Sequence, residues 1–318
     1  MEPSIRFLFI SCLIAATVAT LLGLLAIVAP YWDLANHFRP FVLLGVILLM
    51  LLTFFMGFTR TGKFAAFLAV VNVILLLPAL SNTGQTAPAS VDETSAISIE
   101  PLTVLSFNVW VENEEIEDVI ALIEERDASI VLLQEFYYEH ALEMLPALKR
   151  QYPYVYSCGG EPTSCNLVIA SKQPWSSIKH LGWSRDNAPL IDAVFKNNNE
   201  QDYHVIVTHI AWPFKPAKQQ REMDWLASYV KNIKTPLILT GDMNLSPWSW
   251  KMLQFQSRTG LKRHTTFMHS WPAHELIPFV QLDHFLTSPQ IPSLLVETGA
   301  GSGSDHLPVI ATFSMNNL

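Results

Sequence analysis

Charged side chains are scarce in this 318-residue chain, 15% against 50% hydrophobic, and the scarcity is uneven. The first eighty residues carry only Arg6, Arg39, Arg60 and Lys63 against Glu2 and Asp33. Residues 81–318 carry 16 basic and 26 acidic side chains, so the chain's net of −8 conceals −10 in its larger part. So few charges over the first eighty residues argue against a wholly soluble protein. Three cysteines are too few for a disulfide-built scaffold, and 13 glycines are too few for a collagen-like chain. The apolar content excludes disorder of the whole chain. The sequence also lacks an internal repeat and a basic stripe.

What is present first is apolar length. The run 5–29 has one charge, Arg6, and the runs 41–58 and 64–80 have none. A hydrocarbon core of about 30 Å takes about 20 apolar residues of helix, so all three are expected to be transmembrane helices, the last two as a short hairpin. A cleaved signal peptide fits the first run less well, because its basic part is one Arg and two more runs follow. Arg6, and Arg60 with Lys63 in TRTGK, place those ends in the cytoplasm, whereas Asp33 offsets Arg39 in PYWDLANHFRP. Three spans then deliver the rest of the chain to the other face. The expectation is a multi-pass inner-membrane protein with a periplasmic or extracellular domain.

Residues 81–100 are small and polar without periodicity and are expected to be a linker. From 101 onward, β-rich runs alternate with helical patterns. Strands are expected at LTVLSFN, SIVLLQ, YVYS, NLVIAS, LIDAVF, YHVIVTHI, PLILTGD, LDHFLTS and LPVIATF, and helices from about 113, over 138–150 and over 217–232. About nine strands with few helices imply an α/β domain in which sheet packs on sheet. Cys158 and Cys165, separated by six residues in YSCGGEPTSCN, either close a short disulfide suited to an oxidising compartment or remain two thiols. Their spacing fits neither a CxxC motif nor a zinc site.

Polar side chains recur where the apolar strands stop: Asn108, Glu135, His209, Asp242 with Asn244, Asp283, and Asp305 with His306. Strand ends are where loops gather side chains into one cleft. The set is rich in oxygen donors and therefore favours a hard divalent cation over zinc, with Glu135 and Asp305 as natural carboxylate ligands. Phosphoester hydrolysis needs charge neutralisation, a positioned water and a proton donor, and Asp242, His209 and His306 are suitable types. A histidine held by a carboxylate is biased toward its protonated form.

The segments SFNVW, LLQEF, VTHIAWP, GDMNLSPWS, QLDHFL and GSDHLPV together resemble the motifs of the endonuclease/exonuclease/phosphatase superfamily. The resemblance spans about 101–318 and implies a four-layer sandwich of two mixed β-sheets with helices outside. It implies Mg²⁺, with Mn²⁺ as an alternative, held by Glu135 with Asp305 and helped by Asn108. It further implies that Asp242 orients or deprotonates the attacking water and that Asn244 holds a phosphate oxygen or the nucleophile. His209 would contact the phosphoryl group, with Trp212 beside it at the substrate, and His306, oriented by Asp283, would stabilise developing charge. GDMNLSPWS, the later SWP and the three apolar runs are similar to a membrane-anchored bacterial branch that includes the VanJ proteins. That likeness implies an active site facing out of the cytoplasm. The apolar runs, the strand-end set and the tryptophans beside it point to a phosphorylated substrate, lipid-linked, at the bilayer surface. A nuclease is the alternative, and the charge of −10 weighs against nucleic acid as a partner.

Other residues receive blander expectations. His204 points away from His209 on the same strand and is expected to be structural, as is His284 beside Asp283. Asp192 is expected to be an edge-strand surface residue, with a second carboxylate partner for a histidine as the alternative. His264, His269 and His274, five apart, are expected in a loop near the substrate. Asn72, polar within the third run, is expected to make a helix-packing hydrogen bond. Trp212, Trp248, Trp250 and Trp271 lie beside the motifs as candidate cleft walls, and Lys215, Lys218, Arg221, Lys262 and Arg263 are the local basic residues a nuclease would use.

Overall fold

A computed structural model describes residues 3–81, 83–84, 101–158, 165–265, 267–274 and 277–316, and the expected linker lies almost wholly outside them. The N-terminal part is helical: α1 (Pro3–Leu25), a 3-10 turn at Pro30–Asp33, α2 (Leu34–His37), α3 (Arg39–Phe55) and α4 (Thr59–Ser81). The segments Ser4–Leu25 and Thr59–Ser81, with mean hydropathy 2.5 and 2.4, are long and apolar enough to cross a membrane. Helix α3 has 17 residues and meets Pro30–His37 at a bend of 57°. Helix α4 starts at Thr59, so Arg60 and Lys63 fall within its first five residues rather than in a loop.

Leu13, Val46, Ala65, Leu68 and Ala69 form the small core of this helical unit. The two alanines lie four apart on α4, where small side chains let helices approach closely. Asn72 is fully buried: its Nδ2 donates to Thr20 Oγ1 at 3.0 Å and to the Leu68 carbonyl at 2.9 Å, while Arg39 Nη1 donates to its Oδ1 at 3.3 Å. It is the helix-packing hydrogen bond expected of a polar residue there.

The second part runs β1 (Pro101–Asn108), α5 (Ile116–Arg126), β2 (Ile130–Gln134), α6 (Tyr138–Gln151), β3 (Tyr154–Ser157), β4 (Leu167–Ser171), β5 (Ser177–Leu181) and β6 (Leu190–Lys196). It continues through β7 (Asp202–Thr208), α7 (Pro216–Asn232), β8 (Leu237–Asp242), α8 (Trp250–Thr259), β9 (Lys262–Arg263), β10 (Asp283–Thr287), β11 (Ser293–Thr298) and β12 (Val309–Ser314). Two six-stranded mixed sheets result, ordered β11-β12-β1-β2-β4-β3 and β5-β6-β7-β8-β10-β9. The four-layer sandwich is the expected α/β architecture.

Period-2 alternation places each strand's side chains in two cores. In β1, Val104 points between the sheets, with Ile130, Val205 and Phe313, whereas Leu105 and Phe107 point outward beneath α5 and α6. The other sheet buries Ile206, Leu239 and Leu286 beneath α7 and α8. Each fully buried side chain of this size contributes roughly 1.5–3 kcal/mol. Strands β5, β9 and β11 and helix α8 go beyond the sequence expectation. β5 is an exposed edge strand and β9 has two residues, so neither carries an apolar signal. β5 also covers β6, and Asp192 is therefore buried rather than at an edge. Cys158 and Cys165 are joined in a disulfide, with Cα atoms 5.4 Å apart.

Candidate active site

Strand register gathers the polar residues. Parallel pairing of β1 with β2 sets Asn108 beside Gln134, so Glu135 emerges next to Asn108. Parallel pairing of β7 with β8 ends with Val207 beside Thr240, and just beyond it the Ile210 N–H donates to the Asp242 carbonyl at 2.9 Å. Antiparallel β10 starts with Asp283 opposite Asp242. Gly241 permits the close approach of β7 and β8: its φ is +133°, and a Cβ there would lie 2.0 Å from the Thr208 carbonyl oxygen. Glu135 and Asn244 also adopt left-handed backbone, φ 55° and 50°, which costs an L-residue energy and turns both side chains at the strand ends.

Asp242 is the centre. Its Oδ2 accepts from Asn108 Nδ2 and Asn244 Nδ2, each at 3.1 Å, and lies 3.5 Å from His209 Nε2 and 3.7 Å from His306 Nε2. Its Oδ1 accepts the Asn244 N–H at 2.8 Å. Burial raises its pKa to about 6, against the lowering effect of His306. His306 Nδ1 is 2.7 Å from Asp283 Oδ2. Burial alone would lower the imidazole's pKa, but Asp283 and Asp242 outweigh it and raise it to about 10, so His306 is a cation at neutral pH. Asp283 is correspondingly held below the ordinary carboxylate range, the ion pair with His306 outweighing its burial.

Glu135 accepts from Asn108 Nδ2 and from the Val111 N–H, both at 3.0 Å. Burial pushes its pKa up, but His209 and the hydrogen bonds carry it below the ordinary value. Asp305 is raised, by burial first and also by the neighbouring charge of Glu135. Its Oδ2 accepts from Trp271 Nε1 at 3.0 Å, while its Oδ1 is buried without a hydrogen-bond partner. Two mutually repelling carboxylates, one with an unsatisfied oxygen, fit a hard cation. Donor atoms of Glu135, His209 and Asp242 also lie within 4.8 Å of one another, as do those of Asp242, Asp283 and His306. The second group is the poorer cage, because the Asp283–His306 hydrogen bond occupies both partners. His209 Nε2 is buried without a hydrogen bond and faces Glu135 and Asp242, and Trp183 stands edge-on to the ring at 5.6 Å.

All seven strand-end positions, Asn108, Glu135, His209, Asp242, Asn244, Asp283 and the Asp305–His306 pair, thus meet in one place. Trp212, three residues after His209, is 56% exposed. Of the other tryptophans, Trp271 touches the cleft through Asp305, whereas Trp248 packs on Leu76 and Ala79 of α4. His264 is not in a substrate loop: it bonds Thr287 and Ser293 inside the fold. His274 does come close to the set: its ring lies tilted 4.9 Å from that of Trp110, whose N–H donates to Asn108 Oδ1.

Supporting residues went unrecognised in the sequence. Ser304 Oγ donates to the Asn108 carbonyl at 2.7 Å and accepts the His306 N–H at 3.0 Å. On α7, Gln219 Nε2 donates to the carbonyls of Ala211 and Asn244, and Glu222 accepts the Ala211 N–H. Their signal was spacing: Gln219 and Glu222 share the helix face of Met223 and Leu226, where a polar side chain needs a buried partner.

Residues 105–306 match the family model described as Endonuclease/Exonuclease/phosphatase family. The chain belongs to that family. Its members are metal-dependent hydrolases of phosphoester bonds, and the chain is one of these hydrolases. No curated protein matches the chain. Solved structures share the fold. The Bacteroides thetaiotaomicron mannosyl-6-phosphatase is 15% identical with a TM-score of 0.54, covering 67% of this chain and 100% of that one. Sphingomyelinase C of Streptomyces griseocarneus is 17% identical with a TM-score of 0.51, covering 67% and 99%. TDP2 of D. rerio, complexed with single strand DNA product, is 14% identical with a TM-score of 0.54, covering 68% and 100%.

Proposed function

We propose that this family member is a multi-pass inner-membrane, Mg²⁺-dependent phosphoesterase that hydrolyses a lipid-linked phosphate ester or diphosphate on the extracytoplasmic side. The observation that carries the reading is an aromatic path from the helical unit to the site. Phe41, at the start of α3, stands edge-to-face with Phe279 at 5.8 Å, Phe279 meets Trp271 at 6.5 Å, and the Trp271 indole holds Asp305. Two rings thus separate an apolar helix from a metal-side carboxylate. Ile277, 89% exposed, lies on the same segment. An apolar margin of this kind suits a headgroup whose tail stays in the bilayer.

When bound, Mg²⁺ would neutralise phosphoryl oxygens and lower the cost of charge developing there. Glu135 and Asp305 would hold it, with Asn108 fixing Glu135. Asp242, with a pKa near neutrality, accepts the proton of the attacking water, and Asn108 and Asn244 fix the orientation of its carboxylate. His306, protonated and held by Asp283, places positive charge beside the reacting oxygens. The unpartnered Nε2 of His209 binds a phosphoryl oxygen.

Support for the outer face comes from contacts as well as charge. The domain rests on the turn at Pro30–Asp33 and on the end of α4, two places that a three-span topology puts on one side. The nuclease alternative loses cations. Arg263 is buried and donates to the Ala79 carbonyl, and Lys218 is committed to Glu222 and the Trp183 ring. The test is full-length protein with Mg²⁺, assayed for phosphate release from polyprenyl diphosphate in nanodiscs and for cleavage of single- and double-stranded DNA. Lipid turnover without DNA cleavage is expected. DNA cleavage lost in His306→Ala, with no lipid turnover, would reverse the assignment, and a C-terminal reporter active only in the cytoplasm would overturn the topology.

A further inference from the structure

The helical unit reaches the catalytic loops through buried polar groups, over sequence separations of about 30 to 220 residues. Asp33, 1% exposed, accepts the N–H groups of Trp250 at 2.7 Å and Lys251 at 3.1 Å, so a side chain of the first interhelical turn caps the N-terminus of α8. Asn36 and Arg39 tie Asp33 back to Asn72 of α4. Lys251, 3% exposed, sends its ammonium to the Pro30 carbonyl at 3.3 Å and to Gln219 Oε1 at 2.8 Å. Gln219 then donates through Nε2 to the carbonyls of Ala211 and Asn244, both at 2.9 Å. Those carbonyls belong to the two loops that present His209 and Asn244.

We propose that Asp33, Lys251 and Gln219 are positioning residues that make the helical unit a structural part of the active site. The logic is one of polarity. A glutamine amide is nearly symmetric in shape, and either end can face either neighbour. The Lys251 ammonium has only donors, so it fixes the oxygen of Gln219 toward itself and the NH₂ toward the two carbonyls. Without the ammonium, a flipped amide would set an oxygen against two oxygens and release both loops. Asp33 makes the buried ammonium tolerable, since its carboxylate is the anion that opposes burial of Lys251. A loop displaced by about 1 Å can cost ~100-fold in rate.

The inference rests on the family's phosphoester hydrolysis and not on the lipid substrate. Full-length Gln219→Glu, Lys251→Met and Asp33→Asn are purified in detergent and assayed with Mg²⁺ on bis(p-nitrophenyl) phosphate. Hydrogen exchange is followed on peptides covering 209–213, 242–246 and, as reference, 101–108. Gln219→Glu keeps shape and the contact with Lys251 but aims an oxygen at both carbonyls, so it separates orientation from packing and stands if Lys251→Met fails to fold. The expectation is a kcat lower by ~10-fold or more with KM within ~3-fold, and exchange ~10-fold faster in the two loops alone. A folded Gln219→Glu with unchanged loop exchange, or faster exchange spread evenly over the domain, would overturn the proposal. Exchange needs no substrate, so it decides the matter even if wild type is silent toward this ester, and absent lipid turnover would count against the proposed substrate alone.

Discussion

Two histidine–carboxylate pairs in the catalytic domain have the same local geometry and different surroundings. His306–Asp283 and His204–Asp192 each place Nδ1 2.7 Å from a carboxylate oxygen. Asp192 sits mid-strand in β6, and its other oxygen is taken by Tyr229 Oη at 2.6 Å and approached by Lys179 at 3.4 Å. Asp283 begins β10 opposite Asp242, and the free Nε2 of His306 faces Asp242 and Asp305 at 3.7 and 4.0 Å. The lesson is that a held imidazole becomes chemically useful through what its second nitrogen faces. The first pair charges a cleft, and the second closes a sheet onto α7.

Breaking each pair should separate these jobs. Asp283→Asn is expected to lower kcat by ~10²–10³-fold, because it removes the group that holds His306 oriented and protonated. Asp192→Asn should leave kcat within ~3-fold but lower the melting midpoint, at a cost of about 1–3 kcal/mol for disturbing buried hydrogen bonds. Steady-state kinetics beside thermal melts check both, and equal kinetic losses would erase the distinction.

Next in size is the metal side. Glu135→Gln should raise the Mg²⁺ concentration for half-maximal rate by ~10–100-fold, and the Asp192 variant should not move it. A magnesium titration of each variant reads this directly, and an unmoved midpoint in Glu135→Gln would remove it from the ligand set.

The smallest effect is in pH. His306 is raised in the fold, so its ion pair stabilises fully below the unfolded value of about 6.5 and is lost as pH rises toward 10. Asp192 is lowered, its bonds to His204 and Tyr229 outweighing burial, so its contribution is present above about pH 4 and fades as pH falls. Asp283→Asn should therefore move the alkaline limb of the rate profile to lower pH, whereas Asp192→Asn should leave that limb in place, lower stability at neutral pH and flatten its fall toward acid. A pH–rate profile with an unmoved alkaline limb would show that His306 does not owe its charge to Asp283.

The strand-end residues were legible because each stands where an apolar run begins or ends. About nine strands with few helices likewise implied sheet on sheet, and the motif resemblance implied the four-layer sandwich. Asp192 misled for a physical reason: the strand that buries it, β5, reads SIKHL and carries too little apolar pattern to be seen. Arg263 reads in the sequence as a basic residue open to nucleic acid and His264 as part of a substrate loop, yet close packing of α4 on the domain buries the guanidinium completely. The link from Asp33 to Gln219 was invisible for another reason. It joins residues almost two hundred positions apart through one lysine, and no local periodicity records such a contact.

The most direct test concerns Asp242, on which Asn108, Asn244, His209 and His306 converge. Mg²⁺-dependent phosphate release by full-length wild type and Asp242→Asn, each with its melting midpoint, should differ by ~10³-fold or more while the midpoints remain close. An Asp242→Asn protein that hydrolyses the same substrate within tenfold of wild type would place the chemistry elsewhere and contradict the site described.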